Sequence, residues 1–87
     1  MERTEVYKLI DEEREYQLQR HEFVNAEFPH RDKDHHVADW IIYMETQLEE
    51  AKKEVYSLDT NKALSHIRKV AALGVACMEY NETPSRS

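Results

Sequence analysis

Residues 70–78, with the sequence VAALGVACM, form a run of nine positions without a polar side chain. The run lies inside a longer segment of helical pattern. A helix on the surface of a domain needs only one apolar stripe along its length. This segment is apolar or small around nearly its whole circumference, so we expect it to be covered on more than one side. A chain of 87 residues has few elements with which to cover it. The run therefore predicts self-association as well as burial.

The composition is that of a small helical protein. The chain has one Gly and two Pro, and charged residues make up 34% of it, so helix breakers are rare and helix formers common. The net charge of −6 argues against a general nucleic-acid surface. The single Cys excludes an intrachain disulfide. The sequence contains neither a signal-peptide pattern nor about 20 consecutive apolar residues. We expect one all-α domain, residues 1–87, in the cytoplasm and away from membranes.

The hydrophobic periodicity predicts three helices. The first covers residues 4–20 with Thr4 as N-cap, and a loop follows over 21–35, containing at most one helical turn. The second covers 36–57 and the third about 61–80, with Asp59 or Thr60 as N-cap of the third. Because the connector between the second and third helices is short, we expect an antiparallel hairpin. Residues 82–87 read as a flexible tail.

The third helix presents two candidate faces. We expect its main apolar face to pack on the second helix; the members of this face are Ala63, Leu64, Ile67, Val70, Ala71, Gly74 and Met78. A second strip mixes polar and apolar residues at intervals of three and four; it holds His66, Lys69, Leu73, Ala76 and Tyr80. We expect this mixed strip to contact another subunit, so that a helical bundle forms as a homo-oligomer through the 61–80 helix.

Carboxylates on the second helix form a candidate metal site. Glu45 and Glu49 are four residues apart on one flank of the apolar stripe, and Glu50 and Glu54 are four apart on the other. Paired carboxylates supply the hard oxygen ligands that Mg²⁺ prefers. Residues Glu45, Glu49 and Glu50 are therefore candidate Mg²⁺ ligands. The alternative is a solvated helix face, balanced by interleaved lysines, and the spacing alone favours that alternative.

Cationic residues on the third helix form a candidate anion site. His66, Arg68 and Lys69 are close in sequence, and Arg and Lys side chains bind phosphate oxygens well. Tyr80 and Trp40 are aromatic residues that can stack on a nucleotide base, although aromatic residues on helices more often pack in a core. The alternative for the cations is an exposed basic turn that offsets the acidic second helix.

Two segments carry a family resemblance. DWIIYMETQLEEAKKEV and ALSHIRKVAALGVACME, joined by a short connector, resemble small phage-encoded proteins related to the all-α MazG-like nucleoside triphosphate pyrophosphohydrolases. The N-terminal EEREYQ looks like the E-R-x-x-Q stretch that often opens those phage chains. The resemblance covers about half of the chain. It implies an oligomeric antiparallel bundle with a site between helices.

In that family, acids arranged as E-E-x-x-E on one helix and E-x-x-D on the next hold Mg²⁺, which activates a water against a nucleotide phosphate. Glu45 and Glu49 match the first and last acids of the first motif, and would be the catalytic residues of such an enzyme. Thr46 replaces the middle acid, and His66 and Lys69 stand where the next helix carries acids. An ammonium group repels Mg²⁺, so this pattern favours an anion site over a cation site.

Three functional hypotheses follow from the sequence. The first is a small oligomer that binds a nucleotide or cyclic nucleotide signal in a cationic inter-subunit pocket, without hydrolysis and without a cofactor. Phages use such oligomers to sequester immune signals of the host, in the host cytoplasm. The second hypothesis is a Mg²⁺-dependent pyrophosphohydrolase. The third is a protein–protein adaptor.

Overall fold

Three helices make up the described part of the chain. The structure is a computed structural model that describes residues 1–24 and 34–86, with side chains for 1–20 and 34–86. The helices are α1 (Arg3–Val24), α2 (Val37–Tyr56) and α3 (Thr60–Tyr80). These residues contain no β-strand, which confirms the all-α prediction. None of the three helices has the length and apolar character needed to cross a bilayer.

Helix α1 differs from its predicted bounds at both ends. The backbone amides of Glu5 and Val6 donate to the carbonyl oxygen of Glu2 at 3.0 and 3.1 Å. The carbonyl that accepts the first helical bonds therefore belongs to Glu2, and Thr4 lies inside the first turn rather than at the N-cap. The helix also continues to Val24, four residues into the segment predicted as a loop. The rest of the predicted loop, up to residue 33, lies outside the described residues.

The bounds of α2 and α3 agree with the prediction to within one residue. The Asp39 carboxylate accepts a 2.8 Å hydrogen bond from the His36 amide at the start of α2. The Asp59 carboxylate accepts a 3.0 Å bond from the Lys62 amide and caps α3, as one of the two predicted N-caps. Residues 82–86, in the predicted tail, are exposed and outside any helix.

Helix α3 is the centre of the fold, since both other helices pack against it. Its contacts with α2 join Tyr80 to Trp40, Gly74 to Met44, and His66 to Gln47. Its contacts with α1 include two ion pairs, a hydrogen bond from Gln17 and the Arg14 guanidinium over the ring of Tyr80. Within the described residues, the backbones of α1 and α2 do not approach each other closely. The molecule is therefore a pair of packed helices with α1 lying against one of them.

The core of a single chain is small. Among the described side chains, five apolar residues are buried, of which four are alanines: Trp40, Ala51, Ala63, Ala72 and Ala76. No large side chain is completely buried among the described residues. Two charged side chains, Glu13 and Arg14 on α1, are buried beside α3. The helices thus meet through small residues and ion pairs, while many large apolar side chains lie outside.

The structure corrects the predicted faces of α3 in part: Gly74 of the predicted apolar face does meet Met44 of α2, and Ala63 of that face is buried. His66 and Tyr80, predicted to face another subunit, contact α2 of the same chain. Leu64, Ile67 and Met78, predicted to pack on α2, are each about half exposed. The prediction was wrong for these large residues because it assumed that the whole apolar strip packs on α2. The ion pairs with α1, through Arg68 and Glu79, occupy a third strip that the apolar pattern does not reveal.

Candidate ligand-binding site

A polar cleft lies beside α3, with walls from α1 and α2. Its volume is about 430 Å³, within the range of small-molecule pockets. We call it the polar cleft; its lining residues are Glu13, Tyr16, Gln17, Arg20, Gln47 and Lys69. All six are polar, and three helices contribute to the lining. The cleft exists because α1 packs on α3 without closing onto α2, which leaves a gap beside Lys69.

The polar cleft carries two cations that the rest of the described chain does not neutralise. Lys69 is half-buried on α3 and Arg20 is exposed on α1. In residues 1–20 and 34–86, no carboxylate pairs with either side chain. Glu13 is the only acid of the lining, and its carboxylate accepts a 2.8 Å bond from Nε of Arg68. The lining therefore offers an anion two positive charges, while its single negative charge is already paired.

Gln17 adds a buried amide to the polar cleft. Its Nε2 donates to the backbone carbonyl of Lys69 at 3.4 Å, which holds the side chain against α3. Its Oε1 is buried and accepts no hydrogen bond from the described residues. A buried amide oxygen without a donor is unfavourable by about 1–3 kcal/mol.

His66 holds the α2 side of the polar cleft in place. Its Nδ1 lies 2.8 Å from Oε1 of Gln47, across the α2–α3 seam. With a proton on Nδ1, the imidazole donates to this oxygen and fixes the amide of Gln47 at the edge of the cleft. Of the predicted ligand-binding residues, Lys69 therefore lines the cleft, and His66 contacts a residue that does.

Arg68, a predicted ligand-binding residue, is part of an ion pair between helices. Its guanidinium pairs with the buried carboxylate of Glu13. A second pair joins the buried guanidinium of Arg14 to Glu79 at 3.1 Å. The two pairs lie about three turns apart on α3, but their partners on α1 are adjacent residues, so they fix one point of α1 against α3. Arg68 thus binds a carboxylate of α1, and its charge is already neutralised.

Trp40 and Tyr80, the two aromatic residues predicted to stack on a base, stack on each other. Their ring centres are 6.4 Å apart and the ring planes differ by 5°. Trp40 is only 3% exposed, and the rings of His35 and Tyr43 meet it edge-on. The structure thus places Trp40 in the core at one end of the α2–α3 seam. The exposed aromatic ring in the polar cleft is that of Tyr16.

The predicted metal ligands do not converge. Glu45, Glu49 and Glu50 lie on α2; Glu49 pairs with Lys52 at 3.6 Å and Glu50 with Lys53 at 3.2 Å. Glu45 and Glu49 border a shallow hollow that is otherwise lined by Ile42, Thr46 and Leu48. No three His, Cys, Asp or Glu side chains of the described chain lie close enough together to hold a metal ion. The contacts shown are those of a solvated helix face.

Sequence reasoning missed Tyr16, Gln17, Arg20 and Gln47. The three residues on α1, at 16, 17 and 20, lie within about one helical turn, but nothing in that spacing distinguishes them from other polar residues on a charged helix. Their role in the lining depends on where α1 lies along α3, which the buried ion pairs determine.

Comparison with known proteins adds no relative, since no family model, no curated protein and no solved structure matches the chain.

Proposed function

We propose that this chain binds a small phosphorylated ligand of the nucleotide class in the polar cleft and holds it without hydrolysis. One observation carries the proposal: Lys69 and Arg20 line the same cleft, and neither has a carboxylate partner in the described residues. Unpaired cations at the edge of a concave, partly buried site favour an anionic ligand. Phosphate oxygens accept hydrogen bonds from both ammonium and guanidinium groups.

The rest of the lining supports a nucleotide rather than inorganic phosphate alone. The ring of Tyr16 is 55% exposed and offers a surface on which a base can stack. A cleft of about 430 Å³ is large enough for a mononucleotide or for part of a dinucleotide.

We place this pocket within one chain rather than between subunits. Lys69 reaches the polar cleft from α3, while α1 and α2 of the same chain supply the walls. In this proposal α2 and α3 run antiparallel as a hairpin. The order of their contacts supports it, because Trp40 meets Tyr80 while Gln47 meets His66. A cleft within one chain implies one ligand for each chain.

The experiment is equilibrium dialysis of the purified chain against nucleoside triphosphates, cyclic dinucleotides and inorganic phosphate, with and without Mg²⁺. After dialysis the protein is denatured and the released ligand is analysed. We expect one nucleotide-class ligand to be recovered intact with a stoichiometry of one per chain. Replacing Lys69 by Gln should weaken binding at least tenfold, because one charge-assisted hydrogen bond contributes about 1.5–3 kcal/mol.

The matched control is Lys62→Gln, which removes a positive charge from an exposed site on the first turn of α3. Affinity should be unchanged in that variant. Equal weakening by the two substitutions would indicate a general charge effect and contradict the polar cleft as the site. Absence of binding by every nucleotide in the panel would reject the proposal.

Hydrolysis is the competing outcome of the same experiment. Release of a nucleoside monophosphate and pyrophosphate in Mg²⁺, abolished by Glu45→Ala, would support a pyrophosphohydrolase instead. We expect hydrolysis less than binding, because two of the carboxylates that would hold Mg²⁺, those of Glu49 and Glu50, pair with neighbouring lysines. An adaptor role is the third candidate, and the exposed apolar residues of α2 and α3 favour it.

A further inference from the structure

An apolar surface runs along α2 and α3 on the side that α1 leaves uncovered. We call it the open face; its members are Val37, Ile41, Leu48 and Val55 on α2, with Leu64, Ile67 and Met78 on α3, and each is between 43% and 59% exposed. A groove of about 540 Å³ between the two helices is lined by Leu48 and Val55 from one side and Ile67 from the other. The exposed apolar residues of α2 and those of α3 therefore form one continuous surface.

The open face and the α1-facing strip occupy different sides of α3. At 100° per residue, the strip that carries Arg68, Ala72, Ala76 and Glu79 lies roughly a third of a turn from the strip of Leu64, Ile67 and Met78. The contacts with α2 occupy the remaining third. A partner on the open face would therefore not displace α1 or close the polar cleft.

The size of the open face suits a stable interface. Helices of 20 and 21 residues are each about 30 Å long at 1.5 Å per residue, and each is roughly 10 Å wide. Side by side they present a plane of roughly 600 Å², and the relief of the side chains increases the accessible area. A specific complex buries about 800 Å² on each partner. The open face thus approaches the area that one partner of such a complex buries.

The small core favours a second copy of this chain as the occupant. Four of the five apolar residues that are buried among the described side chains are alanines, so this part of the chain buries little apolar surface. A second copy is present whenever the chain is made, whereas a foreign partner would leave the open face in water until the two met. An interface between identical chains therefore completes the core at the time of folding.

The charges that border the open face are self-complementary. Glu45 and Lys52 lie on α2, three residues before and four residues after Leu48. When α2 packs antiparallel on α2 of another copy, about a two-fold axis between residues 48 and 49, residue 45 lies opposite residue 52. Each Glu45 then faces a Lys52 of the other copy, and the pair occurs twice. Lys52 also pairs with Glu49 of its own chain at 3.6 Å, so in the dimer its ammonium group lies between two carboxylates. A closed two-fold dimer is also the commonest form of homo-oligomer.

We propose that the open face binds a second copy of this chain, with Leu48 near the two-fold axis and α2 antiparallel to its counterpart. The interface is apolar at its centre and is bordered by two Glu45–Lys52 pairs. The proposal differs from an assembly through the His66, Lys69 and Tyr80 strip, since these residues already contact α2 or line the polar cleft.

The experiment is sedimentation equilibrium of the purified full chain. We expect a dimer at micromolar concentration, and Leu48→Asp should raise the dissociation constant at least a hundredfold. Because Leu48→Asp also risks unfolding the chain, the decisive variants exchange surface charges. Glu45→Lys and Lys52→Glu each place like charges opposite one another and should weaken the dimer several-fold, whereas the double exchange should restore it.

The control is Tyr7→Asp, a similar change at a 61% exposed site on α1, which should leave the dimer intact. A folded chain that stays monomeric at 100 µM would overturn the proposal and indicate a foreign partner for the open face. A dimer that resists Leu48→Asp and both charge exchanges would overturn it too, since the interface would then lie elsewhere.

Discussion

Each ion pair between α1 and α3 joins a buried side chain to a partly exposed one. The side chain of Glu13 is 7% exposed and that of its partner Arg68 is 41% exposed. Removing the partner of a buried charge is more costly than removing a charge whose partner can be hydrated. We therefore expect Arg68→Met to lower the free energy of unfolding by about 2 kcal/mol and Glu13→Gln by about 1 kcal/mol.

The double variant Glu13→Gln/Arg68→Met should lose less stability than the two single variants together, because no buried charge is left without a partner. Urea denaturation of the four proteins measures the coupling. Additive losses would contradict a direct pair.

Arg68 is one of three clustered cations in the sequence, and that local pattern does not show whether its side chain binds a phosphate or forms an ion pair. Its partner Glu13 is 55 residues away along the chain, so only the packed fold distinguishes the two uses.

The connector between α2 and α3 contains a leucine in an unfavourable backbone conformation. Leu58 has φ of 60°, its amide donates to the Val55 carbonyl, and the next amide, that of Asp59, donates to the Glu54 carbonyl at 2.8 Å. This pattern is a Schellman motif, in which glycine usually holds the left-handed position. We expect Leu58→Gly to raise the free energy of unfolding by about 0.5–1 kcal/mol, since the leucine side chain is 91% exposed and loses few contacts.

Thermal and urea unfolding check this expectation, with Ser57→Gly as the control. Ser57 has φ of −85°, a conformation that serine adopts without strain. Glycine there relieves no strain, so that variant should be no more stable than the wild type. Stabilisation by both changes would contradict relief of strain at Leu58.

The helix spans and the Asp59 cap could be predicted because periodicity and capping are local properties. The positive φ could not, because nothing in a leucine indicates it.

At the scale of the whole molecule, the sequence predicted three helices but not their arrangement. The apolar run at residues 70–78 suggested coverage on several sides, which α1 and α2 provide in part. The large apolar residues left exposed on α3 belong to the face that the sequence assigned to α2, although Gly74 of that face does meet α2. Ala72 and Ala76 are fully buried and, at 100° per residue, lie on the same side of α3 as Arg68 and Glu79, which pair with α1. Hydrophobic periodicity weighs large residues most and so underestimates such a seam.

An assembly that completes the core links folding to chain concentration. If the open face is buried in a dimer, unfolding releases two chains, and the midpoint of thermal unfolding rises with concentration. Two chains of 87 residues, at about 0.7 kcal/mol per residue, give an unfolding enthalpy of roughly 120 kcal/mol, so a tenfold increase in concentration should raise the midpoint by roughly 4 °C. Circular dichroism at 2, 20 and 200 µM measures the shift.

Tyr7→Asp should keep the same dependence of the midpoint on concentration, and Leu48→Asp should lower the midpoint and remove that dependence. A midpoint of the wild-type chain that is constant across this range would mean that one chain is stable with its apolar surface in water.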